Sequence, residues 1–300
     1  MKQLLVLLAS FCVTSPALGQ SLDPRSFVNT PIGINFVTAV YGYSSGNVLF
    51  DAALALDSAE LVIQGPTGGY ARALDLWGLS GKVDAAAGWA CADGSALQAG
   101  ERVSRHVCGS TDPTAHLSVN FLGAPAITLR QYPSYKQNVI VGGGFRVTAP
   151  LGQYDPTRLI NIGTNRWSFK PEIGVSKALG RLTLEFLGAV TFYTTNTDFF
   201  GGNRASQAPL YSAQVNVIYT FRSGIWGAVG FVGYGGGATS VNGGESATPQ
   251  QNSRTGAVLV FPVSRSNAFK VYWTTGVSTR TGTDFDTYMA SWTYRWGGKR

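Results

Sequence analysis

The sequence predicts an all-β protein: a transmembrane, antiparallel, up-and-down β-barrel of 12 strands. Three observations carry this. Long segments alternate apolar and polar residues with period two, which places one set of side chains on each face of a strand. The apolar sets run through segments of about 10 or more residues, the length a tilted strand needs to cross a bilayer. The composition fits neither a soluble domain nor a helical membrane protein. Charged residues are only 13% and Gly is 38 of 300, yet mean hydropathy is +0.06. Soluble chains carry about 25% charged residues and ~7% Gly, and a barrel stays near neutral hydropathy because half of each strand is polar.

The first 19 residues read as a secretory signal. Lys2 supplies the positive start, Leu4 to Val13 the apolar core, and Ala17-Leu18-Gly19 a small-x-small cleavage site. An uncleaved anchor is the lesser reading, because the apolar core is too short to span a membrane as a helix. Residues 20–31 read as an irregular periplasmic segment, 32–296 as the barrel and 297–300 as a tail.

The first strand covers about 32–43, with Ile32, Ile34, Phe36 and Val40 on one face, and 44–58 is a loop. The second, about 59–75, contains Gly65-Pro66; proline cannot donate to a ladder, so a bulge or kink is expected there. After a turn at 76–81, Val83, Ala85, Ala87 and Trp89 alternate with Lys82, Asp84, Ala86 and Gly88. Residues 91–108 form a long loop. Cys12 leaves with the signal, and Cys91 and Cys108 are an even pair in an exported chain, which reads as a disulfide closing a loop whose cross-link is worth ~3 kcal/mol in the chain-entropy model. No His, Asp or Cys cluster accompanies the pair at metal-ligand spacing.

In the fourth strand, 114–122, Ala115, Leu117, Val119 and Phe121 oppose His116, Ser118 and Asn120. Residues 123–136 connect to three strands that show the pattern best. Val139 to Ala149 and Trp167 to Val175 flank a loop, and the turn Lys177-Ala178-Leu179-Gly180 leads to Leu182 to Tyr193. Gly142–Gly144 lie within a strand, where they allow curvature. Loops at 195–210 and 236–252, with tight turns at 222–224 and 264–267, separate strands at about 211–221, 225–235, 253–263, 269–277 and 288–296. Connections mostly alternate long and short, as in outer-membrane barrels with long outer loops and short periplasmic turns, and an even count returns both ends to the periplasm. The exception is 123–136, which should be short. Trp89, Trp167, Phe192, Tyr211, Tyr234 and Tyr288 fall at the outer strand ends. Phe121, Phe221, Trp226, Phe269 and Trp296 fall at the inner ends, giving the two expected aromatic girdles.

The stretch 149–176 (APLGQYDPTRLINIGTNRWSFKPEIGVS) resembles a family of outer-membrane proteins named for the meta-cleavage pathway of phenol degradation. Residues 120–126, 41–51 and 252–256 resemble it too, so that the likeness covers nearly all of the chain after the signal. Gly65-Pro66 and the extension Gly297–Arg300 depart from the pattern. The resemblance implies transport of aromatic or other hydrophobic compounds across a Gram-negative-type outer membrane.

If the apolar faces meet lipid, the lumen carries Lys82, Asp84, Arg146, Lys170, Glu172, Glu185, Arg222, Arg254, Lys270 and Arg295. These either pair with one another or give a weak anion preference. If Lys177 and Gly180 flank a two-residue turn, Glu172 and Glu185 sit opposite each other, and like charges directly opposite are destabilising. The pair then forms an electrostatic cluster narrowing the pore, or a network neutralised by Lys170 and Arg146. The loop 150–166 sets Asp155, Arg158, Asn161, Asn165 and Arg166 beside Leu159 and Ile160, an apolar pair that a purely solvated loop would not need. It is expected to fold into the barrel mouth as a constriction.

No catalytic constellation, phosphate loop, metal spacing or cofactor fingerprint is found. His116 and Ser118 share a face, but nothing identifies an oxyanion site. No Lys/Arg run suggests a nucleic-acid partner. The partners expected are outer-membrane lipid, a small-molecule solute and the barrel-assembly machinery. Two functions remain: a passive channel with a narrow or partly blocked lumen, and a non-conducting barrel that acts through its outer loops.

Overall fold

The computed structural model describes residues 22–48, 56–98, 101–221, 224–244, 249–279 and 283–299; the expected signal at 1–19 and Arg222 lie outside them. Twelve strands close a ring by antiparallel pairing of chain neighbours: β1 (Ile34–Val48), β2 (Leu56–Leu76), β3 (Leu79–Gln98), β5 (Thr114–Leu122), β6 (Val139–Thr148), β7 (Ser168–Leu179), β8 (Leu182–Tyr193), β11 (Leu210–Thr220), β12 (Trp226–Gly236), β14 (Gln250–Pro262), β15 (Asn267–Thr279) and β16 (Thr283–Gly297). The seam is β1 on β16, continuous from Ile34↔Gly297 to Val48↔Thr283. Closure leaves no barrel strand with a free edge, the condition for a sheet in lipid. Four further strands stand outside the ring: β4 (Glu101–Ser110), β9 (Asn196–Phe199), β10 (Asn203–Gln207) and β13 (Thr239–Val241).

The alternation reads directly as inside and outside. In β5 the even residues Thr114, His116, Ser118 and Asn120 are buried, while Leu117 and Phe121 are exposed. Outward aromatics such as Trp167, Tyr211, Phe121, Phe221 and Trp296 stand at the strand ends, as expected, whereas Trp89 and Tyr288, also outward, lie within β3 and β16, which run on past them. Tyr234 and Trp226 do not: both are buried and point inward. Strand end alone gives a residue's height but not its side. The first strand is also reversed relative to the other faces. Ile34, Phe36 and Val40 are buried inside, and Val37, Tyr41 and Tyr43 meet the lipid side.

Gly65-Pro66 produces no shift. β1–β2 runs through Tyr41↔Pro66 without interruption, and β2–β3 resumes in one register on either side, at Gln64↔Cys91 and Thr67↔Gly88. The region 91–108 is not a loop. β3 continues to Gln98 and folds back as β4, so that β2 and β3, at 21 and 20 residues, overshoot the roughly 10 residues a membrane strand needs. They form a tall wall on the long-loop side. The β7–β8 turn is centred on Gly180-Arg181, where Gly180 adopts a left-handed φ of 66°, not on Ala178-Leu179. Pairing therefore puts Glu172 opposite Ala189 and Ser176 opposite Glu185, and the two glutamates do not face each other.

The segment 20–31, expected to be periplasmic, instead enters the barrel over its described residues 22–31, and residues 32 and 33, expected in the first strand, continue it up to Ile34. Leu22, Phe27 and Asn29 are buried, and the segment is enclosed by inward faces of opposite walls. The connection 123–138 floors the short-turn end. Ile32 donates to Ile127 O at 2.9 Å and Lys299 N to Ile32 O at 3.0 Å, while Leu129 N donates to Lys299 O at 3.0 Å. Its length thus has a use: it ties the residues that lead into β1 to those that follow β16.

Candidate functional site: a plugged lumen beneath a folded outer loop

The lumen has two chemically distinct walls. On β3, β5, β6 and β7 the register aligns Asp84↔His116↔Arg146↔Lys170 across four strands. His116 Nδ1 is 3.0 Å from Asp84, its Nε2 is 3.2 Å from Glu172 Oε1, and Lys170 Nζ is 3.6 Å from Glu172. Both ring nitrogens face carboxylates, so a doubly protonated ring can donate to each. Gly144, directly across from Glu172, makes room for the imidazole: a Cβ there would lie 2.5 Å from His116 Nε2. Lys82 joins the same wall beside Asp84. Asp84, His116, Glu172 and Lys170 therefore pair among themselves, and strand parity had placed each of them on the lumen face.

The opposite wall, β11 to β15, carries a large apolar cluster, in which Ile218, Trp226, Val232, Tyr234, Val258 and Tyr272 gather around Leu22 among buried Gln214, Asn216, Asn252 and Thr274. Arg254 and Lys270 lie here, away from the ionic row. Arg254 donates to Thr274 Oγ1 at 3.2 Å and to Phe285 O.

The N-terminal segment bridges the two walls. Leu22 N donates to the Tyr272 hydroxyl at 3.0 Å. Arg25, at φ 65°, donates its backbone N–H to Glu185 Oε2 at 2.7 Å and a guanidinium N–H to Thr220 at 2.8 Å, while its guanidinium stacks 4.5 Å over Trp226. Glu185 also accepts from Ser176 and Asn216, so this carboxylate serves the plug and not Glu172. Asn29 donates to Pro125 O at 3.2 Å. The two apolar anchors dock on cross-strand glycine pairs. Phe27 lies against Gly142↔Gly174, where a Cβ on Gly174 would come within 2.7 Å of its ring. Leu22 lies against Gly230↔Gly256, at 2.9 and 2.8 Å by the same measure. Gly142 is thus a dock as well as part of a curved strand.

At the other end the 149–167 connection folds over the tall wall. Ile160 and Ile162 pack on Ala90, Ala92, Leu61 and Ile63, inward residues of β2 and β3. Its clamp is Asp112, which sequence reasoning missed. This buried carboxylate accepts from Gly152 N at 2.8 Å, Thr164 N at 2.8 Å and Thr164 Oγ1 at 2.7 Å. Asp155 and Asn161 come together: Asp155 N donates to Asn161 Oδ1 at 2.9 Å, and the Asn161 amide donates to Asp155 O and Arg158 O. Hydrogen bonds from Thr157 hold the Asp155 carboxyl below its usual 3.8. Asn165 and Arg166 lie apart from these. Asn165 bonds Asn196 at 2.9 Å, and Arg166 bonds Gln207 at 2.5 Å and stacks 4.5 Å over Tyr193. Burial lowers the Arg166 guanidinium from its usual value. Arg158 is exposed. The five polar residues mainly shape and anchor the loop.

The ring of 12 antiparallel strands with its outward apolar band defines a membrane-spanning β-barrel. Residues 60–293 match the family model for the MetA-pathway of phenol degradation, and the chain belongs to that family. Among solved structures it is similar to the COG4313 outer membrane channel from Pseudomonas putida F1, with a TM-score of 0.75 at 18% identity over 92% of this chain and 100% of that one. It is also similar to the beta domain of the Bordetella autotransporter BrkA, with a TM-score of 0.55 at 10% identity over 88% and 100%. The transport unit of the autotransporter AIDA-I from Escherichia coli gives 0.51 at 8% over 92% and 93%. A comparison with curated protein sequences finds no match.

Proposed function

We propose that this chain is an outer-membrane channel for passive passage of small molecules, hydrophobic or aromatic ones among them, with residues 22–33 as its gate. Family membership and the likeness to an outer membrane channel support passage, and the plug, which on the sequence alone would favour a non-conducting barrel, is read here as a gate because its contacts are few. It fills the short-turn half of the lumen through a few hydrogen bonds, one cation–π contact and two glycine-seated side chains, all of which can be exchanged for contacts with solvent or solute. The walls suit an amphipathic ring: an apolar, aromatic face opposite a row of hydrogen-bonding and ionic groups. Export with removal of the first 19 residues, insertion by the barrel-assembly machinery and contact with outer-membrane lipid belong to this proposal.

The folded outer loops favour a second reading, a non-conducting barrel acting through its long-loop face. Single-channel recording on the refolded chain in a planar bilayer separates the two. As a channel, the wild type gives small or rare steps, the double variant Arg25→Ala/Phe27→Ala gives larger or more frequent ones, and phenol or benzoate alters them. Silence from a folded double variant supports the loop reading.

A further inference from the structure

Outside the lumen, the β3–β4 hairpin carries a second constellation, which corrects the expectation that no His or Asp accompanies the cysteines: reading 91–108 as a loop hid the strand pairing that brings them together. Its register sets Cys91 opposite Cys108 and, next on the same outward face, Asp93 opposite His106. The cysteines form a disulfide. His106 presents Nε2 to Cys108 Sγ at 3.3 Å and Nδ1 to Asp93 Oδ1 at 2.5 Å. The Cys91, Cys108 and His106 donor atoms all lie within 4.8 Å of one another. A disulfide acting as a staple needs neither the imidazole nor the carboxylate, and the hairpin ladder already joins these strands. A carboxylate holding one nitrogen of a histidine while the other faces thiolates is the arrangement that orients a metal ligand.

We propose that this hairpin is a redox-gated site for one zinc-class d10 cation. A dithiol reductant is oxidised to its own disulfide, and its two electrons and two protons convert Cys91–Cys108 to two thiols. The cation then displaces both thiol protons and is held by the two sulfurs and His106 Nε2, with water in the fourth place. Tetrahedral coordination at normal zinc distances sets the sulfurs about 3.8 Å apart, which cleavage of the S–S bond allows. Asp93 is a positioning residue: it accepts the Nδ1 proton and keeps the Nε2 lone pair toward the sulfurs. A disulfide-class oxidant that takes two electrons from the thiolates, and with two solvent protons becomes its own dithiol, re-forms the Cys91–Cys108 bond and expels the cation. Both polar side chains are more than half exposed, so ion and reductant can reach the site.

The test uses the folded barrel in detergent micelles, reduced with a phosphine that is then removed, with Co2+ as probe. The expected result is one Co2+ per reduced chain, with a thiolate-to-cobalt charge-transfer band and tetrahedral d–d bands, and none in the oxidised chain. His106→Ala should weaken binding tenfold or more with both thiols still titratable, Asp93→Asn by about tenfold, and Cys91→Ser/Cys108→Ser should abolish it. Equal cobalt content in the oxidised and reduced chains, or unchanged affinity in His106→Ala, would overturn the proposal. So would loss of the folded barrel's gel mobility on reduction, because the gate requires a barrel that survives the cut.

Discussion

Asp112 illustrates how much one buried carboxylate can organise. It takes three hydrogen bonds from two points of the outer loop, and Gly152 and Gly163 pack face to face beside it. Asp112→Ala would orphan two backbone donors at about 1–3 kcal/mol each. Hydrogen exchange in 150–166 should accelerate while the barrel strands stay protected. Asp155 adds a pH dependence to the same loop. Its carboxyl is depressed, so its contribution is complete above about pH 5 and is lost as pH falls through 3.8 and below. Loop protection should therefore decline on acidification, and Asp155→Asn should flatten that profile. In the lumen, His116→Ala leaves Asp84 and Glu172 without their shared donor and should destabilise the barrel by on the order of 3 kcal/mol. Adding Glu172→Gln should recover part of that in a double-mutant cycle read by heat-modified gel mobility. Strand parity put His116, Asp84 and Glu172 on the lumen face, but their pairing was not legible, because the sequence reading set Glu172 against Glu185. Asp112 was not legible either, because nothing in the sequence marks what a loop 40 residues on will bring to it.

Strands were legible and their ends less so. Period-two alternation located all 12 barrel strands, but a register depends on the turn, and Gly180 moved the β7–β8 turn far enough to separate two glutamates expected to face each other. The plug was the least legible element. It has no periodicity, and its docks are glycines, whose contribution is space and leaves no side-chain signal. Those docks make a direct prediction. Gly142→Val or Gly174→Val places bulk where the Phe27 ring lies and should expel the segment, raising conductance without opening the ring. A control at Gly188, where a Cβ meets nothing within 4 Å, should leave conductance at the wild-type level.

At the scale of the molecule, closure of the ring and the sorting of side chains follow from one requirement, that no backbone polar group be left open to lipid. That requirement is written into the alternation. The division of the lumen into an ionic and an apolar wall is not, because it depends on which strands become neighbours across the bore. β16 completes its pairing at Gly297, so removal of residues 298–300 should leave refolding yield unchanged. The same truncation removes the bonds from Gly298 and Lys299 to the residues leading into the plug, and open events should become more frequent in bilayer recordings.

The plug rests on both β6–β7 and β12–β14, surfaces that come face to face only when the sheet has curled and β1 has met β16. Docking must therefore follow closure. The residues that come earliest in the described chain are the last to take their places, and the segment that seats last on a finished wall is also the one that can leave it without undoing the ring.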